Sequence, residues 1–170
     1  MFCLFLFSFY FLLINKLFNL YFLYSIHALF NLIFHKVNWG VFMIKCAIVG
    51  ATGLVGSMFL RVLEEKKLPI DKYVLFASKK SSGKIVKFMD KNYEVKELTK
   101  TSFEDERFDF ALFSAGSKIS EEYALEAVKN GCIVIDNSSY FRMNENVPLV
   151  VPEVNYDMIF KHKGIIANPN

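Results

Sequence analysis

The sequence predicts an α/β fold, a doubly wound and mainly parallel sheet, preceded by a hydrophobic helical extension at the N-terminus. Three observations carry this. Apolar runs recur without polar alternation at Cys46-Ala-Ile-Val49, Tyr73-Val-Leu-Phe-Ala77, Phe110-Ala-Leu-Phe113 and Ile133-Val-Ile135, as strands buried on both faces require. Helical patterns separate them, and several runs empty into turns of glycine, hydroxyl or amide residues. The composition also changes abruptly near residue 43. Residues 1–42 hold ten of the 19 phenylalanines, two lysines and no acid, whereas residues 43–170 carry the other 18 basic residues and all 17 acids.

The chain therefore divides into 1–42 and 43–170. Met1 to Leu13 and Leu17 to Phe34 are apolar enough for membrane insertion, the second about long enough to span a bilayer. A signal peptide fits poorly, because no basic region leads the segment and no small-residue cleavage site closes it. Two readings stand. Residues 1–42 are an extension upstream of a working start at Met43, which stands directly before the first strand, or they are a real membrane anchor. The second part has a net charge of +1, and the overall +3 is no nucleic-acid signature. The three cysteines lack the spacing of a zinc site or a disulfide framework, so no metal is expected. Cys46 and Cys132 read as small buried hydrophobes in a reduced, cytoplasmic setting.

The first strand leads into Gly50-Ala-Thr-Gly53-Leu-Val-Gly56, the stretch that organises the rest. It reads as a nucleotide-binding βα turn. Gly50 permits the turn, Gly53 lets the backbone approach a pyrophosphate, and Gly56 lets the helix lie close to the strand. The spacing is one residue longer than the usual fingerprint, and a plain strand-turn-helix connection is the competing reading. The helix should run from Leu54 to Lys66, with Val55, Met58, Phe59 and Val62 on its apolar face and Pro69 beyond its end.

After the second strand, a dinucleotide fold that selects NAD places an acid on the ribose hydroxyl. Here the chain has Ser78-Lys-Lys80-Ser81-Ser-Gly83 instead, a cationic and hydroxyl-rich turn suited to a 2′-phosphate, which argues for NADP; a solvent-exposed Lys-Ser loop is the competing reading. Lys84 to Leu98 alternates around Asp90-Lys-Asn92 and predicts a β-hairpin of edge strands, Val86 and Phe88 facing Tyr93 and Val95. Phe110 to Phe113 ends in Ser114-Ala115-Gly116-Ser117. Ser120 is the expected N-cap of a helix from Glu121 to Asn130, with two glutamates in its first turn and Gly131 ending it. The strand at Ile133 empties into Asp136-Asn137-Ser-Ser-Tyr-Phe-Arg142. Arg142 is the residue of choice to hold a phosphate or carboxylate, unless Asp136 and Arg142 are structural ion-pair partners. A short helix capped by Asn155 is expected before the final run at Gly164.

Taken together, Gly50-Ala-Thr-Gly-Leu-Val-Gly56, Ser114-Ala-Gly116, Asp136-Asn-Ser-Ser-Tyr-Phe-Arg142, Val151-Pro-Glu-Val-Asn155 and Asn168-Pro-Asn170 closely resemble the N-terminal half of bacterial aspartate-semialdehyde dehydrogenase. The resemblance covers Met43 to Asn170. It implies a Rossmann-type NADP domain of a homodimeric cytoplasmic enzyme of lysine, diaminopimelate, threonine and methionine biosynthesis. The reaction it implies interconverts aspartyl 4-phosphate and the semialdehyde, with small-molecule substrates and phosphate. By position, Thr52, Gly53, Leu54 and Val55 match the pyrophosphate turn, Lys80 and Ser81 the 2′-phosphate site, and Ser114 to Gly116 the turn beside the nicotinamide. Arg142 matches the arginine that holds the substrate phosphate, with Asn137 close to it. Lys80 stands where the family usually has arginine, keeping the charge without the planar fork, and Ser117 stands where the family often has a second glycine.

In the family the catalytic cysteine follows Asn-Pro-Asn at once, so it is expected directly after Asn170, and the histidine base belongs to a second domain. Neither Cys46 nor Cys132 matches that nucleophile, and His162 falls in the presumed connecting helix. The expectation is a cofactor-binding part that binds nucleotide at most. Two alternatives are part of an N-acetyl-glutamyl-phosphate reductase, which Asp136-Asn-Ser-Ser fits less well, and a non-catalytic nucleotide-binding module.

Overall fold

The computed structural model describes residues 43–169. The extension expected over 1–42, with Cys3, lies outside the described residues. No helix among the described residues is long and apolar enough to cross a membrane.

The chain runs β1 (Lys45–Val49), α1 (Leu54–Lys66), β2 (Lys72–Ala77), β3 (Ile85–Phe88), β4 (Lys91–Glu94), β5 (Lys96–Glu97) and α2 (Ser102–Asp105). It continues through β6 (Phe110–Phe113), α3 (Ser117–Lys129), β7 (Ile133–Asp136), α4 (Pro152–Asn155) and β8 (Ile165–Ala167). Six strands form one sheet in the order β5-β2-β1-β6-β7-β8, and every pairing within it is parallel. The chain builds outward from β1 on one side, then returns to β1's other edge, the topology of a doubly wound α/β fold.

Each central strand is buried on both faces, which explains its unbroken apolar run. Cys46 and Ile48 face one core with Phe59 and Leu63 of α1, while Ala47 and Val49 face the other with Ala124 and Ala127 of α3. α1 has the expected bounds and ends on Lys67 in the left-handed region. α3 ends on Gly131 at φ +82°, where Gly131 N donates to Val128 and Cys132 N to Ala127, at 2.9 and 3.0 Å, closing a Schellman motif.

The hairpin forms, but its sheet, its pairing and its turn differ from expectation. β3 and β4 pair antiparallel as a separate two-stranded sheet, with Val86 opposite Tyr93 but Phe88 opposite Lys91. Met89 and Asp90, both at positive φ, make a two-residue turn one position earlier than the Asp90-Lys-Asn92 signal. Val95 lies beyond the hairpin and bonds across to Gly83 and Lys84. One edge of the main sheet is β5, two residues long, beside β2, and the other is β8.

At the amino edge, Asp71 accepts the Ile44 amide (2.6 Å) and Asp109 the Lys45 amide (2.8 Å). Lys45, Lys72 and Lys96, which open the adjacent strands β1, β2 and β5, converge on the single carboxylate of Glu106. Asn155, expected to cap a helix, ties its own preceding segment together. Its Oδ1 accepts from Val151 N (2.7 Å) and its Nδ2 donates to the Leu149 carbonyl (3.0 Å). His162 lies just past the 3₁₀ turn Tyr156–Lys161, not within a helix, and its Nδ1 accepts from Gly164 N at 3.0 Å.

Candidate functional site

The carboxyl ends of β2, β1 and β6 open into a cleft of about 470 Å³. This is where the chain changes direction across the sheet, the place where open α/β sheets bind ligands. Val49, Gly50, Thr52 and Gly53 line one side, Ala77 ends β2 with Ser78 just after it, and Ser114 and Ala115 follow β6. Leu98, Ile119 and Tyr123 complete the lining with larger apolar groups.

The glycine turn is held by backbone contacts. Gly50 has φ +86°, and a Cβ on it would lie 2.9 Å from the Ser114 carbonyl carbon. Its amide and that of Ala51 both donate to the Phe76 carbonyl, at 2.9 and 3.1 Å, so the turn is fastened to β2 as well. Gly56 is tighter still: a Cβ there would stand 2.0 Å from the Gly50 carbonyl oxygen. Gly53 is the N-cap of α1 and offers no side-chain cap, and the first turn carries no acid. The first turn of a helix has amides without intrahelical acceptors, and these give its amino end a partial positive charge. Leu54 is 85% exposed and Val55 packs against the core, so neither side chain lines the cleft. What these two residues can offer a ligand is their backbone N–H.

α3 begins in the same way, at Gly116 with φ +91° and no side-chain cap. Ser120 does not cap it. The helix starts four residues earlier than expected because Gly116 takes the N-cap conformation, and the buried Ser120 hydroxyl donates to Asp136 at 2.6 Å. Glu121 and Glu122 accordingly lie beyond the first turn, which carries no acid. Two helix amino ends without carboxylates thus meet the carboxyl edge of the sheet. Lys80 and Ser81 sit in the 3₁₀ turn Lys79–Ser81, closed by Ser81 N to the Ser78 carbonyl at 2.8 Å. Ser78, which precedes that turn, lines the cleft; Lys79, Lys80 and Ser81 do not, and Lys80 is exposed.

Farther along the same edge, Arg142 and Asn137 are brought together. Arg142 donates through Nε to the Asn168 carbonyl (3.1 Å) and through Nη2 to the Asn137 carbonyl (3.0 Å). Asn168 Nδ2 donates to Asn137 Oδ1 at 2.8 Å, closing the group. Asp136 and Arg142 are not an ion pair. The Asp136 carboxylate is fully buried and takes its donors from Ser120 and Ser138, while the guanidinium reaches loop carbonyls. Among the described residues no group of three His, Cys, Asp or Glu side chains could hold a metal ion. Cys46 and Cys132 are buried, and burial pushes the Cys46 thiol far above its ordinary range.

The apolar wall of Leu98, Ile119 and Tyr123 is absent from the sequence reading. Ile119 and Tyr123 are spaced i, i+4 on α3, a visible stripe, but only the strand order reveals that it borders the cleft.

A cleft at the sheet's switch point, fed by a three-glycine βα turn and two uncapped helix starts, defines a dinucleotide-binding α/β domain. The sequence matches the family model for the semialdehyde dehydrogenase NAD binding domain over residues 45–162. Curated relatives include the aspartate-semialdehyde dehydrogenases of Aquifex aeolicus, 56% identical over 129 residues, and Bacillus subtilis, 52% identical over 124 residues. Those alignments take in 74% and 73% of this chain but 37% and 35% of the relatives. Among solved structures, aspartate semialdehyde dehydrogenase II of Vibrio cholerae superposes with a TM-score of 0.67 at 41% identity, covering 76% of this chain and 42% of that one. The chain belongs to the semialdehyde dehydrogenase NAD-binding domain family and spans a little over a third of the length of these curated relatives.

Proposed function

We propose that this chain supplies the cofactor-binding part of an NADP-dependent aspartate-semialdehyde dehydrogenase. The reaction converts L-aspartate 4-semialdehyde, phosphate and NADP+ to aspartyl 4-phosphate and NADPH, in amino-acid biosynthesis. Residues 43–170 form the domain, with 1–42 outside it, and the parent enzyme is a cytoplasmic homodimer. The observation that carries the reading is the cleft itself, bounded by the Gly50–Gly56 turn, with no acid at the end of β2 and the Ser78–Ser81 turn beside it.

Backbone amides of Thr52, Leu54 and Val55 at the start of α1 hold the pyrophosphate, and the open helix end favours its charge. Gly53, whose own amide donates to the Gly50 carbonyl at 3.0 Å, serves by its lack of a side chain. Lys80 and Ser81 hold the 2′-phosphate, where an aspartate or glutamate would repel it. Ser114, Ala115 and Gly116 border the nicotinamide half. Arg142, with Asn137 beside it, holds the substrate phosphate, its orientation set by the two carbonyls it already engages. When bound, the nicotinamide supplies the hydride exchange. The fit is supported by the glycines: Gly50 and Gly53 keep the cleft's lining down to backbone, so amides stand within reach of a ligand. The Vibrio cholerae relative was solved in complex with ASA, which supports the substrate class.

The test is calorimetric titration of the chain with NADPH and NADH, repeated with Lys80→Glu. Tighter binding of NADPH, with the preference abolished in the variant, is the expected result. A folded sample that binds neither nucleotide refutes the reading. Equal binding of both refutes the role of Lys80 and Ser81.

A further inference from the structure

Asp136 has no part in the cofactor cleft, yet it is a wholly buried carboxylate without a cationic partner among the described ion pairs. Such a group costs several kcal/mol to bury unless hydrogen bonds replace its water. Three donors do so here: Ser120 Oγ at 2.6 Å, Ser138 Oγ at 2.7 Å and Ser138 N at 3.1 Å. An apolar residue at the end of β7 would fill the same space without this requirement, so the carboxylate has a geometric consequence.

That consequence follows from where the bonds go. Ser120 is on α3, the helix whose Ile119 and Tyr123 wall the cleft and whose first residue follows Ser114–Gly116. Ser138 belongs to the loop that runs on to Arg142, and its hydroxyl also accepts the Tyr140 amide at 3.1 Å. The Asp136 carbonyl accepts Asn168 N at 2.8 Å, and Asn168 in turn engages both Asn137 and Arg142. Two exposed contacts repeat the attachment between α3 and the loop: Ser117 with Ser139 at 2.9 Å, and Tyr140 with Glu121 at 3.1 Å. Of the three side-chain bonds that α3 makes to this region, the Ser120–Asp136 bond is the one shielded from water, where a hydrogen bond to a charge is strongest.

We propose that Asp136, acting through Ser120, is a positioning residue that sets the loop bearing Asn137 and Arg142 against α3, and so holds the phosphate-binding guanidinium in register with the nucleotide cleft. This rests on the reading of Arg142 and the cleft given above. Removing the bond leaves the cleft's glycine turn intact but lets the loop shift on α3, so anion affinity falls while nucleotide affinity is kept.

The experiment uses the full chain and two probes, NADPH followed by calorimetry and inorganic phosphate followed by phosphorus NMR. Wild type is compared with Asp136→Asn, Ser120→Ala and Ser120→Thr. The expected result is a phosphate affinity weakened about five- to tenfold in the first two variants, the loss of one buried charge-assisted hydrogen bond, with NADPH affinity within about twofold and Ser120→Thr close to wild type. Unchanged phosphate affinity in folded Asp136→Asn and Ser120→Ala, with NADPH still bound, overturns the positioning role alone. An equal loss of both ligands, or no rescue by threonine, also overturns it, because a general structural defect is then sufficient. Should Asp136→Asn fail to fold, the Ser120 pair still decides. Wild type that binds neither probe overturns the functional reading and the positioning role with it.

Discussion

Replacing Gly56 by alanine sets two physical effects against each other. Within a helix, glycine to alanine stabilises by about 1 kcal/mol, since glycine loses more backbone entropy on folding. At Gly56, however, the added Cβ would stand 2.0 Å from the Gly50 carbonyl oxygen and 2.8 Å from Ala51 Cα. Both are backbone atoms, so no rotamer change relieves the overlap. The turn cannot retreat easily, because Gly50 N and Ala51 N are both bonded to the Phe76 carbonyl of β2. α1 must move instead, and it carries Phe59 and Leu63, each no more than 1% exposed. Overpacking of this kind costs about 3 kcal/mol or more, so the net effect is a loss of about 2 kcal/mol. For a domain of this size that lowers Tm by roughly 10 °C. Gly53→Ala is the internal control: its φ is −79° and the nearest atom to its Cβ is 3.3 Å away, so it should cost under about 1 kcal/mol. Urea unfolding followed by circular dichroism measures both. A Gly56→Ala protein as stable as Gly53→Ala, or more stable than wild type, refutes the steric argument.

Three further outcomes are expected elsewhere in the fold. Tyr73 is buried with no partner for its hydroxyl, so Tyr73→Phe should raise stability by about 1 kcal/mol in the same urea assay. Burial pulls the Glu106 carboxyl up, but the bonded ammonium groups of Lys72 and Lys45 outweigh it and hold it below the usual range. Its contribution is therefore full above the unfolded glutamate's ordinary value and fades as pH falls through the lower folded one. Glu106→Gln should cost about 1 kcal/mol at pH 7 and almost nothing near pH 3, a difference read from unfolding curves at both. Burial lowers the His162 pKa, and its Nδ1 must stay unprotonated to accept from Gly164 N. A depressed folded value means that stability is kept above the unfolded pKa of about 6.5 and declines as pH falls below it. His162→Asn, which supplies an acceptor that does not titrate, should flatten that decline between about pH 6.5 and 5 in thermal melts.

The sequence pattern was most legible where one local signal decides the structure. The apolar run, glycine turn and amphipathic helix from Cys46 to Lys66 form as expected because burial on both faces and positive φ at Gly50 leave little choice. Ser120 shows the opposite. A hydroxyl before two glutamates is a normal helix-start signal, and nothing local reveals that a buried carboxylate 16 residues later takes the hydroxyl instead. α2 and β5 are too short, at four and two residues, to carry a periodic signal. β5 is a strand because β2's edge lies beside it. Within the candidate site, the turn at Gly50 and the close approach at Gly56 were readable from glycine spacing. The Leu98, Ile119 and Tyr123 wall was not, because three separate segments meet there only after the sheet order is known. The Asp136–Arg142 ion pair failed for the same reason: proximity in sequence gave no measure of which donors lie inside the fold.

The two bare helix starts carry a consequence for how the domain holds together. A serine or aspartate at an N-cap contributes about 1 kcal/mol to its helix, and both α1 and α3 forgo it, beginning at Gly53 and Gly116 with no side-chain acceptor. On the proposed reading, an anionic ligand lodged between them would supply the acceptors that the sequence omits. A bound nucleotide would then be a structural member of the domain as well as a reagent. The first turns of α1 and α3 should then be the segments whose amide exchange slows most when the cleft fills.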